Sequence, residues 1–359
     1  MELICGVQNY EWGKAGKNSI VAEFFKSSQP KVEVDENKPY AELWMGCHPS
    51  MTCKVKDGEK SLHEVIQENP SLLGERVVDK FGKQIPFLFK VLSINKALSI
   101  QAHPSKKLAK ELHVKQPDIY KDDNYKPEMA IALTPFEALC GFRPVCEIKA
   151  YLKAVPELRS LAPNCNMEDD FELVKTAFKS VLQTPKEKIE IEVNNLLDRL
   201  SRIEKEQKVF ENVELIQKLS KQFPGDKGIF MVYFLNYLKL QKGEAIFLGE
   251  CEPHAYISGD CIECMACSDN VVRAGLTPKL IDVDTLVSML TYHCAPPNEK
   301  LLKSQGEDAF SRVFRPPVPD FAVAHIKIEV LVSLSGFETV LLPSTQDSIT
   351  TFHLNLGFP

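Results

Sequence analysis

The feature that most constrains the fold is a change of period partway along the chain. Between residues 151 and 223, Leu173, Val174, Ala177, Phe178, Val181 and Leu182 form one amphipathic stripe, and Val193, Leu196, Leu197, Leu200 and Ile203 form another. Thr184-Pro185-Lys186-Glu187 between them reads as a capping box with proline at the first helical position. Val213, Ile216 and Leu219 predict a third helix before Pro224-Gly225. On both sides of this block the apolar pieces are short and broken by glycine, proline and polar clusters, the pattern of strands and loops. Short helices are expected only around 61–69 and from Ser105 to about His113. Strands, a helical insert, then strands again predict a mainly β protein with an α insertion, a jelly-roll β-sandwich with its helices segregated to one side.

Within the first β half, Leu98–His103 alternates with period two, placing Leu98, Ile100 and Ala102 on one face and Ser99, Gln101 and His103 on the other. Pro104 ends the ladder because it has no amide hydrogen to donate. Ahead of it, Ile85–Leu92 reads as an apolar strand carrying a single Lys90, which either snorkels to solvent or points inward with a function. The run from Gly228 to Leu240 is apolar almost all round, and periodicity does not separate helix from strand there. Lys242-Gly243-Glu244 makes a turn into a short strand over Ala245–Leu248.

With 49 acidic against 43 basic residues, the net charge of −6 argues against nucleic-acid and membrane-surface roles. No apolar run reaches the ~18 residues of a membrane span, and the N-terminus lacks the basic and apolar regions of a secretory signal. Eleven scattered cysteines fit free thiols in a cytoplasmic protein. Cys261, Cys264 and Cys267 have a metal-cluster spacing, but in an extended segment residues three apart point to opposite faces, so their sulfurs would diverge.

Polar side chains crowd into 254–279, where His254, Tyr256, Asp260, Glu263, Asp269, Arg273 and Lys279 occur with no helical period. Gln101 and His103 share a strand face, and Glu128 and His254 could complete a set of two nitrogens and two oxygens. That set suits zinc with an open position, although iron(II) or manganese also accept it. Asp269, four residues before Arg273, is placed for an ion pair with it.

HAYISGDCIECMACSDNVVRAGLTPK at 254–279, AELWMGCHPS at 41–50, LSIQAHPSKKLA at 98–109 and YKDDNYKPEMAIALTPF at 120–136 together resemble the signatures of the type I phosphomannose isomerases, from Gln8 to about Phe321. The resemblance implies a cupin core and one Zn2+ per chain, held by Gln101, His103, Glu128 and His254. It also implies interconversion of mannose 6-phosphate and fructose 6-phosphate through an enediolate, feeding GDP-mannose synthesis and protein glycosylation. Arg273 and Lys126 are then the catalytic pair, while Ser99, Lys90, Lys279, Tyr256 and Asp269 bind substrate. The expected partner is a small sugar phosphate, with no nucleic acid or membrane, and the chain is expected to be a monomer. Where the family has Asn-His-Lys-Pro-Glu, this chain has Tyr125 in place of the histidine. The base is therefore open among that position, Lys126 and a water on the metal. The expected division is a catalytic domain of 1–150 and 224–300, a helical domain of 151–223, and a partial, divergent β lobe of 301–359. The resemblance fades after about Ala322, and 322–359 is expected to pack poorly. An iron(II) cupin oxygenase, or a binding-only cupin, are the alternatives.

Overall fold

The structure is a computed structural model that describes residues 1–56, 58–166, 168–328, 340–341 and 349–354. Its centre is a ten-stranded antiparallel sheet, whose main path runs Leu235–Leu240, Phe136–Phe142, His254–Ala266, Phe87–Ile94, Glu42–Met45 and Gly6–Gln8. The 13-residue strand His254–Ala266 is the organising member. It pairs with Phe87–Ile94 and Phe136–Phe142, and also with Ile100–Ala102 and Glu128–Ala132, which bring in Val272–Gly275 and Ala245–Leu248. This is the cupin-type β architecture with a helical insertion.

That long strand changes its facing midway. Ala255 and Ile257 pack in the core shared with the helices, while Tyr256 lies in the inner cluster. Beyond Gly259 the odd positions face inward: Cys261 joins Tyr256, and Ile262 and Cys264 join the core beneath the N-terminal helix Ile20–Ser28. The register against Phe136–Phe142 slips between Tyr256 and Ser258, a bulge. Gly259 supplies the required φ of +111°, and a Cβ there would lie 2.5 Å from the Pro135 carbonyl oxygen.

The helical insertion forms as its stripes predict, with helices Asp170–Gln183, Lys186–Arg202 and Val213–Gln222 burying those apolar faces. The capping box does not form. Pro185 precedes the helix without a side-chain cap, and the Thr184 hydroxyl donates to the Ser180 carbonyl at 2.8 Å, closing the preceding helix instead. Glu137 ties insertion to sheet, accepting from Lys218, Ser258 and Tyr237. Leu62–Glu68 has a capping box from Ser61 and Glu64, and Lys106–Lys115 is capped by Ser105, as expected. The ambiguous apolar run is both structures, a 3-10 turn over Lys227–Tyr233 and then a strand.

A second sheet of Gln305–Gly306, Ser311–Phe314, Val323–Ile328, Ile349–Leu354 and Val340–Leu341 follows. Val323 is fully buried in the core beside Phe89 and Phe314. Poor packing is thus corrected for 322–324; the expectation for 329–339, 342–348 and 355–359 lies outside the described residues.

Candidate metal centre and active site

Three elements converge on one buried point. His103 follows Ile100–Ala102, Glu128 opens Glu128–Ala132 and His254 opens the long strand. All three are at most 1% exposed, and one ligand atom from each lies within 4.8 Å of the others. The His103 Nδ1 is 2.7 Å from the Asn270 carbonyl and the His254 Nδ1 is 3.0 Å from the Glu252 carbonyl. Those acceptors fix the proton on Nδ1 and leave each Nε2 with a lone pair. Both Nε2 atoms sit 3.3 and 3.2 Å from the Glu128 carboxylate without hydrogen-bond geometry, and neither has another partner. Leaving two buried imidazole nitrogens unpaired is costly unless a cation fills the point they share. Burial pushes His103 down to about 4, so its ring is neutral near pH 7 and able to ligate. The donor set therefore fits a divalent metal that accepts nitrogen and oxygen. Gln101, half-buried, lies in register between His254 on one side and Arg273 on the other, which places it beside the triad.

Charged groups surround this point. The Lys126 ammonium is 2.9 Å from Glu128 Oε1. Burial works against it, but the Lys126 ammonium holds the Glu128 carboxyl well below the carboxylate range. Lys90 points inward, where Glu42 at 3.4 Å, Glu263 at 3.2 Å and the Trp44 ring at 4.9 Å enclose it. Its charge is thus compensated within the protein. Arg273 is half-buried and, among the described residues, has no carboxylate partner; burial alone lowers its pKa. The ion pair with Asp269 does not form, because Asp269 pairs with His48 at 3.4 Å and sits half exposed. Tyr256 is buried, and among the described residues its hydroxyl makes no well-formed hydrogen bond. Ser99 is partly buried just ahead of Ile100–Ala102, whereas Lys279 is exposed on the loop after Val272–Gly275. The Tyr125 hydroxyl donates to Asp320, and burial together with that carboxylate raises its pKa. It is a donor there and cannot take up a proton near neutrality.

Several neighbours were not singled out from sequence: Glu42 and Trp44 beside Lys90, and Asn270 and Glu252 behind the histidines; Glu263 was named among the crowded polar residues but not as a partner of Lys90. Cys261 and Cys264 lie in different core clusters, so the sulfurs diverge as expected.

Residues 1–145 match phosphomannose isomerase type I, catalytic domain, and residues 153–235 match its helical insertion domain. The chain belongs to the type I phosphomannose isomerases. The mannose-6-phosphate isomerase of Homo sapiens is 46% identical over 361 residues, covering 95% of this chain and 85% of that protein. That of Saccharomyces cerevisiae is 44% identical, covering 95% and 86%. A solved mannose 6-phosphate isomerase bound with zinc and yttrium has a TM-score of 0.78 at 34% identity, covering 92% of this chain and 83% of that one. A substituted phosphomannose isomerase from Salmonella typhimurium matches to the same degree. A match to 95% of the chain leaves too few residues unmatched to account for all of 322–359, so the similarity continues past Ala322, contrary to the sequence expectation.

Proposed function

We propose that this isomerase-family chain is a zinc-dependent aldose–ketose isomerase that interconverts mannose 6-phosphate and fructose 6-phosphate, at the head of GDP-mannose supply. The observation that carries this reading is the buried convergence of His103, Glu128 and His254, with both Nε2 atoms unpartnered, in a chain of this family. Gln101 is the fourth proposed ligand. When bound, the zinc ion supplies Lewis-acid polarisation of the sugar oxygens.

The remaining chemistry is read from the chain's own groups. Moving a proton between C2 and C1 passes through an enediolate, and a fixed cation beside the developing oxyanion lowers that barrier. Arg273 suits this role because, among the described residues, no carboxylate neutralises it. Lys126 is assigned the proton transfer; Tyr125 is not, since its hydroxyl is committed to Asp320. Ser99, Lys279, Tyr256 and Asp269 are retained as substrate contacts. Lys90 contributes through the carboxylates it neutralises, which keeps two buried acids from adding negative charge beside a dianionic substrate. The proposed division is a catalytic domain of 1–150 and 224–300, a helical domain of 151–223 and a C-terminal β lobe of 301–359, acting as a cytoplasmic monomer.

The test is to quantify bound metal and follow conversion of mannose 6-phosphate with and without a chelator. Zinc near one per chain and chelator-sensitive turnover are expected. Zinc without turnover would leave a binding-only cupin, and absence of metal would overturn the ligand set.

A further inference from the structure

Two cysteines far apart in sequence meet at the N-terminal edge of the molecule. The strands Leu3–Ile4 and Lys54–Val55 are antiparallel, with Leu3 opposite Val55 and Ile4 opposite Lys54. Cys5 and Cys53 are the next opposed positions. The Lys56 N–H donates to the Glu2 carbonyl at 2.9 Å, which puts Glu2 and Lys56 at a hydrogen-bonded site, and alternation along the ladder makes Cys5 and Cys53 a non-hydrogen-bonded one. The Cys53 backbone agrees: its N–H donates to Gly46 and its carbonyl accepts from Leu62. At such a site opposed Cα atoms lie about 4.5 Å apart, within the span of about 4.4–6.8 Å that a disulfide needs. The two sulfurs are 3.6 Å apart. Cys5 is partly exposed and Cys53 is buried, so a small oxidant meets Cys5 first, with Cys53 behind it. Cys47, the nearest other thiol along the chain, is paired opposite Thr52.

We propose that Cys5 and Cys53 are a reversible redox dithiol, a modification site for low-molecular-weight disulfides. The Cys5 sulfur attacks one sulfur of glutathione disulfide; a protein–glutathione bond forms, the glutathione S–S bond breaks, and the departing thiolate takes the Cys5 proton. The Cys53 sulfur then attacks Cys5, the Cys5–Cys53 bond forms, and a second glutathione leaves with the Cys53 proton. The two protein thiols are oxidised by two electrons and one glutathione disulfide is reduced to two thiols. The cross-link joins Cys53, whose sulfur receives the Gly46 N–H at 3.3 Å and lies 3.5 Å from the Trp44 carbonyl, to the first strand of the chain.

The test equilibrates the metal-loaded full chain in glutathione buffers of falling reduced-to-oxidised ratio, followed by acid quench, alkylation and tandem mass spectrometry. A Cys5–Cys53 peptide pair lacking two hydrogens is expected, reversed by excess reduced glutathione. In Cys53→Ser the mixed disulfide should accumulate on Cys5. Cys47 and Cys53 share one tryptic peptide, 32–54, so Cys47→Ser is included and should retain the link. The proposal is overturned if Cys5 and Cys53 stay alkylatable in buffers that modify the exposed Cys146, or if Cys5 links to Cys47. Should Cys53→Ser fail to fold, the peptide map of the unsubstituted chain decides alone.

Discussion

Arg273 is half-buried and, among the described residues, has no carboxylate partner, and that makes it the sharpest point to perturb. Arg273→Ala should reduce kcat by about 10²–10³-fold, the cost of losing one oxyanion donor, while bound zinc stays unchanged in metal analysis. Asn270 makes a complementary case. Its amide donates to the Asp122 and Asn124 carbonyls at 2.7 and 2.9 Å, which holds its own carbonyl against His103 Nδ1. Asn270→Ala should weaken zinc about 10–100-fold, read by competition with a chelator. The meeting of His103, Glu128 and His254 was legible from the family signatures, and the shared strand face of Gln101 and His103 from the period-two pattern. The environment of Lys90 was not. Its partners Glu42 and Glu263 are set by register across three strands, which local periodicity does not encode.

At the level of elements, a period-two reading of His254–Ala266 would send His254 and Glu263 to opposite faces, since they are an odd number of residues apart. The bulge between Tyr256 and Ser258, with Gly259 at positive φ just after it, brings them to the same one. Gly259→Ala should therefore cost about 1–3 kcal/mol for the strained backbone, with the added Cβ clash on top; urea unfolding would measure it. The helical stripes were legible because each buries one face, whereas the capping box failed because Thr184 found a nearer acceptor in Ser180. A polar tie adds to the apolar core that the insertion shares with the sheet. Although burial opposes it, Lys218, Ser258 and Tyr237 hold Glu137 at about 2, below its ordinary value of 4.5. A depressed folded pKa contributes stability present above 4.5 and lost as pH falls toward 2. Glu137→Gln should flatten the stability profile in that window, seen by denaturant titration at each pH.

For the molecule as a whole, the Tyr125–Asp320 hydrogen bond joins the loop before Glu128 to the segment that leads into Val323–Ile328. Tyr125→Phe should speed amide exchange in Val323–Ile328 while that in Phe87–Ile94 stays unchanged, measured by hydrogen–deuterium exchange. The architecture of strands, insert and strands followed from the change of period. The docking of the last lobe did not, because Val323 enters a core built partly from strands more than two hundred residues earlier, such as Phe87–Ile94. The long strand has a further consequence for how the protein is made. Phe87–Ile94, Glu128–Ala132 and Phe136–Phe142 all pair with His254–Ala266, which follows the helical insertion. During synthesis these three strands leave the ribosome with that side unpaired and must wait for more than a hundred further residues. Until then His254 is missing from the His103–Glu128–His254 cluster, so the nascent chain acquires its central sheet and completes that cluster in the same late event.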